Sequence, residues 1–361
     1  MKDVRRVLIL SAGDPAGMNF CRSLKLVGRK YHIIGTDTNV FRLGLATADE
    51  HYLLPDPDTD AYVPALLRLI EGTRPDFVYA SDTNLELALL SQHREDIRVA
   101  HLLPPKEAVA VYEDKWLSYC CFKAAGLTVP ETILVNSPAD LREALRKLGR
   151  VWLRATRGSG GRASIATDDL ELATAWTRRH QGWGSFTAAE VLTKRMATWI
   201  GVWWNGDLVV GQGRERLHWE YSQLSPSGVT GITGAQCTTS DKVITETALA
   251  AIRSAGHPAH GIVSVDMTFD AHGRPNPTEI QASRFYTSIQ FLAEAGLNLP
   301  DIYVELGIRR QVPPLSVRIN PLPDGLVWLK AVDCVPVMTT MQALEQTRRS
   351  LAETGYAKLE R

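Results

Sequence analysis

A glycine-rich segment between two predicted strands is the first place where this sequence could do chemistry. The segment reads Arg157-Gly158-Ser159-Gly160-Gly161-Arg162, and strand-like runs at 151–154 and 163–167 flank it. Glycines let a backbone approach an anion closely, and successive N–H groups can form an anion-binding concavity, to which Arg154, Arg157 and Arg162 would add charge. The pattern predicts a flexible lid over phosphate. An ordinary hairpin with a mobile loop is the alternative.

A second predicted hairpin carries acidic and amide side chains. An alternating strand at 261–270 contains Asp266, a turn follows at Gly273, and Glu279 and Gln281 lie on the next strand. A two-residue period puts Glu279 and Gln281 on one face, and Asp266 can lie opposite them. Two carboxylates and an amide oxygen suit Mg²⁺ that bridges phosphates, and Arg284 adds a cation nearby. The alternative is a hairpin with polar residues on its wet face.

Between these motifs lies a polar, glycine-rich stretch that contains Arg216, our candidate clamp for a substrate carboxylate. The alternative is an arginine that faces solvent from a strand. Trp203, Trp204 and Trp219 either line an acceptor pocket or pack in the core. No Cys–His or Ser–His–Asp set is legible, and the nine histidines show no obvious spacing. The sequence therefore predicts a reaction without a covalent enzyme intermediate.

The composition of the chain limits the kinds of partner that it could bind. Of the 361 residues, forty are basic and forty acidic, so no overall field attracts nucleic acid or an anionic membrane. No stretch approaches the length of a membrane span, and the short apolar run at 7–10 predicts a buried strand rather than a signal peptide. The five cysteines form no CxxC pair or spaced framework, which favours the reducing cytoplasm.

The first hundred residues alternate strand and helix patterns, which predicts a Rossmann-like, doubly wound α/β unit. Strands are predicted at 7–10, 31–35 and 77–80. Gly13 and Gly17 do not complete GxGxxG, and no GxxxxGK[ST] loop occurs, so we assign this unit no cofactor. Asp37 is interpreted as an ordinary residue of a turn after a strand. A dinucleotide-dependent oxidoreductase is a weakened alternative.

Pro104-Pro105 begins a second unit. A single helix is predicted over 106–125, ending at Gly126, with Lys115 inside it, where a lone lysine usually faces solvent. The proline-containing tail after residue 313 and a helix-like run at 341–354 suggest an accessory or dimer-contacting segment. A homodimer is therefore a candidate assembly.

Four elements in this order resemble the ATP-grasp superfamily, in its carbamoyl-phosphate-synthase-like and amino-acid-ligase-like forms, over the chain up to about Phe291. They are Asp114-Lys115 followed by Gly126-Leu127-Thr128-Val129-Pro130, the Arg157–Arg162 loop, Ala189-Glu190-Val191-Leu192, and Asp266 with Glu279-Ile280-Gln281 and Arg284. Arg154 stands where many members have lysine, Gln281 replaces the usual asparagine, Met196 stands near the usual ribose-binding glutamate, and Arg284 comes one residue late.

The resemblance implies α/β and α+β ATP-grasp architecture with an N-terminal Rossmann-like domain at 1–104. Subdomains at 105–189 and 190–312 would hold ATP between them, and 313–361 would be accessory. Lys115 and Arg154 would contact the phosphates, residues Glu190, Val191 and Leu192 would hold adenine, and Asp266, Glu279 and Gln281 would carry Mg²⁺.

These motifs together predict an ATP- and Mg²⁺-dependent ligase. It would activate a small carboxylate, such as an amino acid, as an acyl phosphate and join it to an amine with release of ADP and phosphate. The alternative is a non-catalytic regulator that binds ATP or another ligand with the same fold.

Overall fold

The structure is a computed structural model of the chain. It describes residues 4–28, 30–80, 84–158, 161, 163–222, 226, 232–330 and 341–358. Within these residues the strands form three sheets, of five, four and six strands. No helix in the described residues has the length and apolar character needed to cross a membrane.

The five-stranded sheet is built mainly from the N-terminal part of the chain. Its strand order is β15-β3-β2-β1-β4, and the four N-terminal strands are parallel. Its N-terminal elements are β1 (Arg5–Ile9), α1 (Pro15–Lys25), β2 (Tyr31–Asp37), α2 (Val40–Leu43), β3 (Glu50–Leu53), α3 (Tyr62–Thr73), β4 (Phe77–Tyr79) and α4 (Asn84–Gln92). The predicted doubly wound unit is confirmed.

Local chemistry explains where these elements begin. Val7, Leu8 and Ile9 are fully buried, as expected for a parallel strand covered on both faces. Helix α1 begins where the Asp14 side chain accepts a hydrogen bond from the Gly17 N–H at 2.7 Å. The Asp37 carboxylate accepts the Asn39 N–H at 2.9 Å, a contact typical of a turn after a strand.

Glu50 links three neighbouring strands of this sheet, β1, β2 and β3. Its carboxylate accepts hydrogen bonds from Arg6 at 3.0 Å and Tyr52 at 2.7 Å, and it lies 2.7 Å from His32 Nε2. Burial disfavours the ionised carboxylate, but these three contacts outweigh burial and lower the pKa of Glu50 to about 2. Glu50 is therefore a charged structural element of the first sheet.

Helices α5 (Lys106–Tyr112) and α6 (Lys115–Ala124) correct the prediction of one continuous helix. The chain leaves helical geometry at Asp114, whose side chain accepts the N–H groups of Trp116 and Leu117 at 3.0 and 3.2 Å. Lys115 therefore starts a new helix, and it is buried instead of facing solvent. Gly126, with φ of 75°, ends the second helix as predicted.

The four-stranded sheet has the order β5-β8-β6-β7, and all its neighbouring strands are antiparallel. Its elements are β5 (Thr132–Val135), α7 (Pro138–Leu148), β6 (Val151–Ala155), β7 (Ile165–Thr167), α8 (Leu170–Arg179) and β8 (Phe186–Glu190). Val135, Leu153 and Phe186 from the strands share one apolar core with Leu141 of α7 and Ala173 of α8. The glycine-rich segment joins β6 to β7, as predicted.

The six-stranded sheet has the order β13-β12-β9-β10-β11-β14. Its strands and associated helices are β9 (Met196–Trp204), β10 (Asp207–Glu220), β11 (Ile232–Thr239), α9 (Lys242–Ser254), β12 (Gly261–Phe269), β13 (Pro275–Ala282), α10 (Gln290–Glu294), α11 (Leu299–Arg309) and β14 (Val327–Leu329). Trp199 is fully buried, and a Cβ at Gly211 would lie 2.2 Å from its ring. The glycine at 211 thus makes room for a core tryptophan.

The C-terminal segment returns to the first sheet. Helix α12 (Met341–Thr354) agrees with the predicted helix, and β15 (Ala357–Lys358) follows it. Ala357 pairs with Leu53 and Lys358 with Tyr52, both antiparallel to β3. Ala357 and Leu53 share a small core with Val40 and Leu43. The segment predicted to be accessory therefore forms part of the N-terminal sheet.

Candidate functional site

A cleft of about 590 Å³ lies between the four-stranded and six-stranded sheets. Strands β6 to β13, the β8–β9 connection and the residues just after β13 contribute to its walls. The predicted site residues that line it are Arg154, Gly161, Glu190, Val191, Leu192, Arg216, Asp266, Glu279, Gln281 and Arg284. Motifs distant in the sequence thus meet at one place.

One end of the cleft lies at the connection between the two sheets. Glu190 is the last residue of β8, and its N–H donates to the Glu131 carbonyl at 2.8 Å. Thr193 anchors the far side of the connection, because its N–H and hydroxyl both donate to the Phe269 carbonyl, at 3.0 and 2.7 Å. Val191 and Leu192, between these anchors, line the cleft. The predicted adenine-binding residues therefore form a tethered hinge between the sheets.

Two basic residues connect the lid-bearing sheet with the acidic hairpin. Lys115 Nζ donates to the Gly158 carbonyl at 2.7 Å and lies 3.3 Å from the Glu279 carboxylate. Arg154 Nη2 donates to the Thr278 carbonyl at 2.9 Å. Burial lowers the pKa of Arg154, and the negative charge of Glu279 opposes that shift. These contacts place two cations beside β13, of which Arg154 lines the cleft and Lys115 does not.

The lid itself is described at Arg157, Gly158 and Gly161; Ser159, Gly160 and Arg162 lie outside the described residues. Gly158 and Gly161 have φ values of 100° and 64°, a backbone region that favours glycine. Arg157 Nε lies 3.3 Å from Asp114, the residue that caps α6. The lid base is therefore fastened to the helix that carries Lys115.

Asp266, Glu279 and Gln281 meet on the β12–β13 hairpin. Asp266 pairs directly with Glu279 across the strands, and Gln281 Nε2 lies 3.4 Å from Asp266 Oδ2. The described residues contain no group of three His, Cys, Asp or Glu side chains that could hold a metal, so the third ligand would be the Gln281 amide. Because all available donors are oxygens on the cleft wall, the set fits Mg²⁺.

The Asp266 carboxylate has close partners already. It accepts hydrogen bonds from Thr198 at 2.6 Å and from Arg216 at 2.9 Å. Burial alone would raise the pKa of Asp266, but the adjacent Arg216 charge and the Thr198 hydrogen bond lower it. Asp266 is therefore ionised at neutral pH. Arg216, our candidate clamp, forms an ion pair with this carboxylate, and its guanidinium carbon also lies 4.8 Å from the Trp219 ring centroid.

Arg284 follows a strained residue. Ser283 has φ of 53°, its N–H donates to the Ile262 carbonyl at 2.8 Å, and its hydroxyl donates to the Ala80 carbonyl at 3.2 Å. Tyr79 Oη also donates to the Ser283 carbonyl at 3.3 Å. The carboxyl edge of the N-terminal sheet thus fixes the turn that brings Arg284 into the cleft wall.

The three predicted tryptophans lie in different environments, and the cleft also contains residues that were not predicted from the sequence. Trp219 lines the cleft, whereas Trp203 is 2% exposed and packs in the core with Trp199. Trp204 is partly buried against the core and does not line the cleft. Arg214 and Tyr286 also line the cleft and were not predicted. Arg214 lies two residues before Arg216 on β10, so the period of a strand already placed both side chains on one face.

Comparisons with known proteins agree on the fold. A carboxyaminoimidazole ribonucleotide synthase from Aspergillus clavatus, complexed with ATP, has a TM-score of 0.65 at 15% identity and covers 89% of this chain and 80% of its own. A biotin carboxylase from Campylobacter jejuni has a TM-score of 0.64 at 14% identity, covering 87% and 73%. An L-amino acid ligase from Bacillus licheniformis has a TM-score of 0.62 at 12% identity, covering 86% and 75%.

Neither the protein-family models nor the curated protein sequences that were searched contain a match. The structural likeness extends over most of the chain and confirms the predicted architecture. The protein therefore has the ATP-grasp fold. At such identities the likeness establishes the fold alone, and the reaction has to be argued from the cleft.

Proposed function

We propose that this protein is an ATP- and Mg²⁺-dependent ligase that activates a small carboxylate as an acyl phosphate and joins it to an amine. The observation that carries the proposal is the meeting of helix α6 and strand β6 with strand β13, where Lys115 and Arg154 contact Glu279 and Thr278. Cations beside oxygen ligands form the arrangement that phosphoryl transfer needs. Structures of the same fold bound to ATP and to MgADP support this choice of nucleotide.

The nucleotide would lie along the cleft from hinge to hairpin. Glu190, Val191 and Leu192 would contact adenine, and Lys115 and Arg154 would contact the phosphates. The lid from Arg157 to Gly161, including Ser159 and Gly160, would cover the triphosphate with backbone N–H groups and exclude water. We keep 1–104, 105–189 and 190–312 as the proposed domains, with 313–361 as a C-terminal segment whose β14 joins the six-stranded sheet and whose β15 joins the N-terminal sheet.

Asp266, Glu279 and Gln281 would hold the metal. When bound, Mg²⁺ would neutralise charge on the phosphate oxygens during transfer. Lys115 lies beside the Glu279 carboxylate and would add its own charge at the same place. The protein side of this arrangement is fixed by strand pairing between Asp266 and Glu279, which keeps the two carboxylates close before any ligand arrives.

The reaction has two balanced steps. A substrate carboxylate oxygen attacks the γ-phosphorus of ATP, the bond to the bridging oxygen breaks, and ADP leaves with that electron pair. The amine nitrogen then attacks the acyl carbon, phosphate leaves, and the nitrogen loses a proton as the amide forms. Arg284 and Arg216 would hold the reacting carboxylate and offset the negative charge that spreads over the transferring group.

An oxygen-isotope experiment tests this reaction type. A carboxylate labelled with ¹⁸O should transfer one label to the released phosphate, and the nucleotide product should be ADP. A screen of ADP release over small acids and amines supplies the substrates for the experiment. Label in AMP, or no transfer at all, would contradict the acyl-phosphate mechanism. No ADP release with any pair would favour the non-catalytic regulator.

The cellular setting is a proposal as well. Cys21, Cys120, Cys121 and Cys237 are free thiols in the structure, which suits a reducing cytoplasm. We propose small-molecule substrates rather than nucleic acid or membranes as partners. A homodimer stays a prediction.

A further inference from the structure

Arg214 is a buried cation in the cleft to which the proposed reaction gives no role. Its side chain lies on β10, only 3% of the residue is exposed, and it lines the cleft. The guanidinium stacks on the Tyr286 ring at 3.5 Å from the ring centroid. Burial lowers the pKa of Arg214 to about 10, so the side chain is still charged at neutral pH.

The immediate partners of Arg214 are uncharged. Its Nη1 donates to the Gln236 side-chain oxygen and to Ser288 Oγ, the latter at 3.0 Å. Gln236 Nε2 also donates to Ser288 Oγ at 2.9 Å, so amide and hydroxyl hold each other and fix the guanidinium plane. The Nε atom of Arg214 has no hydrogen-bond partner among the described residues. A buried charge without a direct counter-ion is unfavourable until an anion binds beside it.

The carboxylates of the described cleft wall are engaged elsewhere. Asp266 interacts electrostatically with Arg214, but its ion pair is with Arg216 at 2.9 Å. Glu279 lies 3.3 Å from Lys115. Glu190, the remaining acid that lines the cleft, lies at the hinge. Arg214 therefore offers an anion a charged partner, whereas the carboxylates of Asp266 and Glu279 already pair with cations.

Strand register separates Arg214 from the phosphate end. Arg214 pairs with Thr198, Thr198 with Asp266, and Asp266 with Glu279, so these residues form one row across β10, β9, β12 and β13. With about 4.8 Å between strands, the backbone of Arg214 lies roughly 10 Å from that of Asp266 and roughly 14 Å from that of Glu279. The backbone of Arg214 thus lies two strands from Asp266 and three strands from Glu279.

We propose that Arg214, with Tyr286 beside it, binds a second carboxylate of the acid substrate, so that the substrate is a small dicarboxylic acid. This inference rests on the proposed function for the reacting end of the same molecule. A planar carboxylate matches the planar guanidinium and receives charge-assisted hydrogen bonds from it. A monocarboxylic acid that reacts at the other end would leave Arg214 without an anionic partner.

Matched acids of equal chain length test the proposal. Binding of succinate against butyrate, and of glutarate against pentanoate, is measured by calorimetry on the whole protein with MgADP present, and then by ADP release with MgATP. We expect succinate and glutarate each to bind about tenfold tighter than the monocarboxylate of equal length. In Arg214→Gln this preference should disappear while the apparent ATP requirement stays unchanged.

The results of these experiments distinguish the proposed role of Arg214 from the proposed ligase function. Dicarboxylates that bind no better than monocarboxylates, or a preference that survives in Arg214→Gln, would overturn the role of Arg214. If Arg214→Gln does not fold, Arg214→Lys replaces it, and we expect an intermediate preference because charge is kept and planarity is lost. If a dicarboxylate binds through Arg214 and no amine gives ADP release, the binding proposal holds and the ligase proposal fails.

Discussion

Glu279→Gln is the most informative single substitution, because the proposed metal, Lys115 and both sheets meet at this carboxylate. The Glu279 side chain is 20% exposed, and its oxygen lies 3.3 Å from Lys115 Nζ, whose side chain is 8% exposed. Glutamine keeps the size and one oxygen but removes the charge. The substitution therefore separates loss of charge from loss of packing.

The expected magnitudes follow from that burial. Removing one fixed electrostatic contact of a phosphoryl-transfer site should lower kcat by about 10²–10³. Lys115 would also lose its carboxylate partner while it stays buried, which should lower the free energy of unfolding by about 1–3 kcal/mol. The double variant Lys115→Met/Glu279→Gln should regain part of the stability and none of the activity, because it removes the unpaired charge.

Glu215→Gln is the matched control. The Glu215 side chain is 21% exposed, nearly the same as that of Glu279, and it pairs with Arg195, whose side chain is 48% exposed. Glu215 is not among the residues that line the cleft. We expect normal turnover and a loss of less than about 1 kcal/mol of unfolding free energy for this more exposed pair.

The assay is ADP formation at increasing Mg²⁺, with urea unfolding of each variant. Near-normal ADP formation by Glu279→Gln at saturating Mg²⁺ would refute the metal role of Glu279. Equal unfolding free energies for Glu279→Gln and Glu215→Gln would refute the reasoning about the buried lysine.

Three further predictions test other parts of the structure. Gly161→Val should raise the ATP concentration needed for half-maximal rate by about tenfold or more. The reason is that φ of 64° and close approach to phosphate both disfavour a branched side chain. Unchanged ATP kinetics in a folded variant would show that the loop is an ordinary hairpin. The pKa of Glu50 is lowered from 4.5 to about 2, so its stabilisation is present above about pH 4.5 and is lost as pH falls towards 2. The unfolding free energy of wild type should therefore exceed that of Glu50→Gln by about 1–2 kcal/mol at pH 7, and the two values should be nearly equal near pH 2. A difference in unfolding free energy that is constant with pH would contradict this. Gly211→Ala should destabilise the protein by about 1–3 kcal/mol, because its Cβ would lie 2.2 Å from Trp199; a melting temperature equal to that of wild type would contradict the packing.

Much of the architecture could be predicted because the signals were local. The glycine run between two strands defined the lid hairpin, and alternation around Asp266 and Glu279 defined their shared face, which the observed pairing confirms. The ordered motifs then supported one fold. Those motifs lie far apart in the sequence, but each is short and punctuated by glycine or proline.

The sequence did not predict features that depend on contacts between distant elements of the fold. The pattern over 106–125 was periodic enough for one helix, and only the capping bonds of Asp114 divide it. The burial of Lys115 depends on Gly158 and Glu279, which belong to other elements. The pairing of Arg216 with Asp266 depends on the register of three strands, which no local pattern contains.

The pairing of β15 with β3 has a consequence for synthesis of the chain. The ribosome releases Leu53 long before Ala357, so an N-terminal sheet that folds during synthesis has the outer edge of β3 unpaired until Ala357 emerges. Unpaired strand edges invite association with other chains, and nascent chains lie close together on a polysome. Residues synthesised late thus cover an edge that formed early, and a chain arrested before residue 357 would expose it.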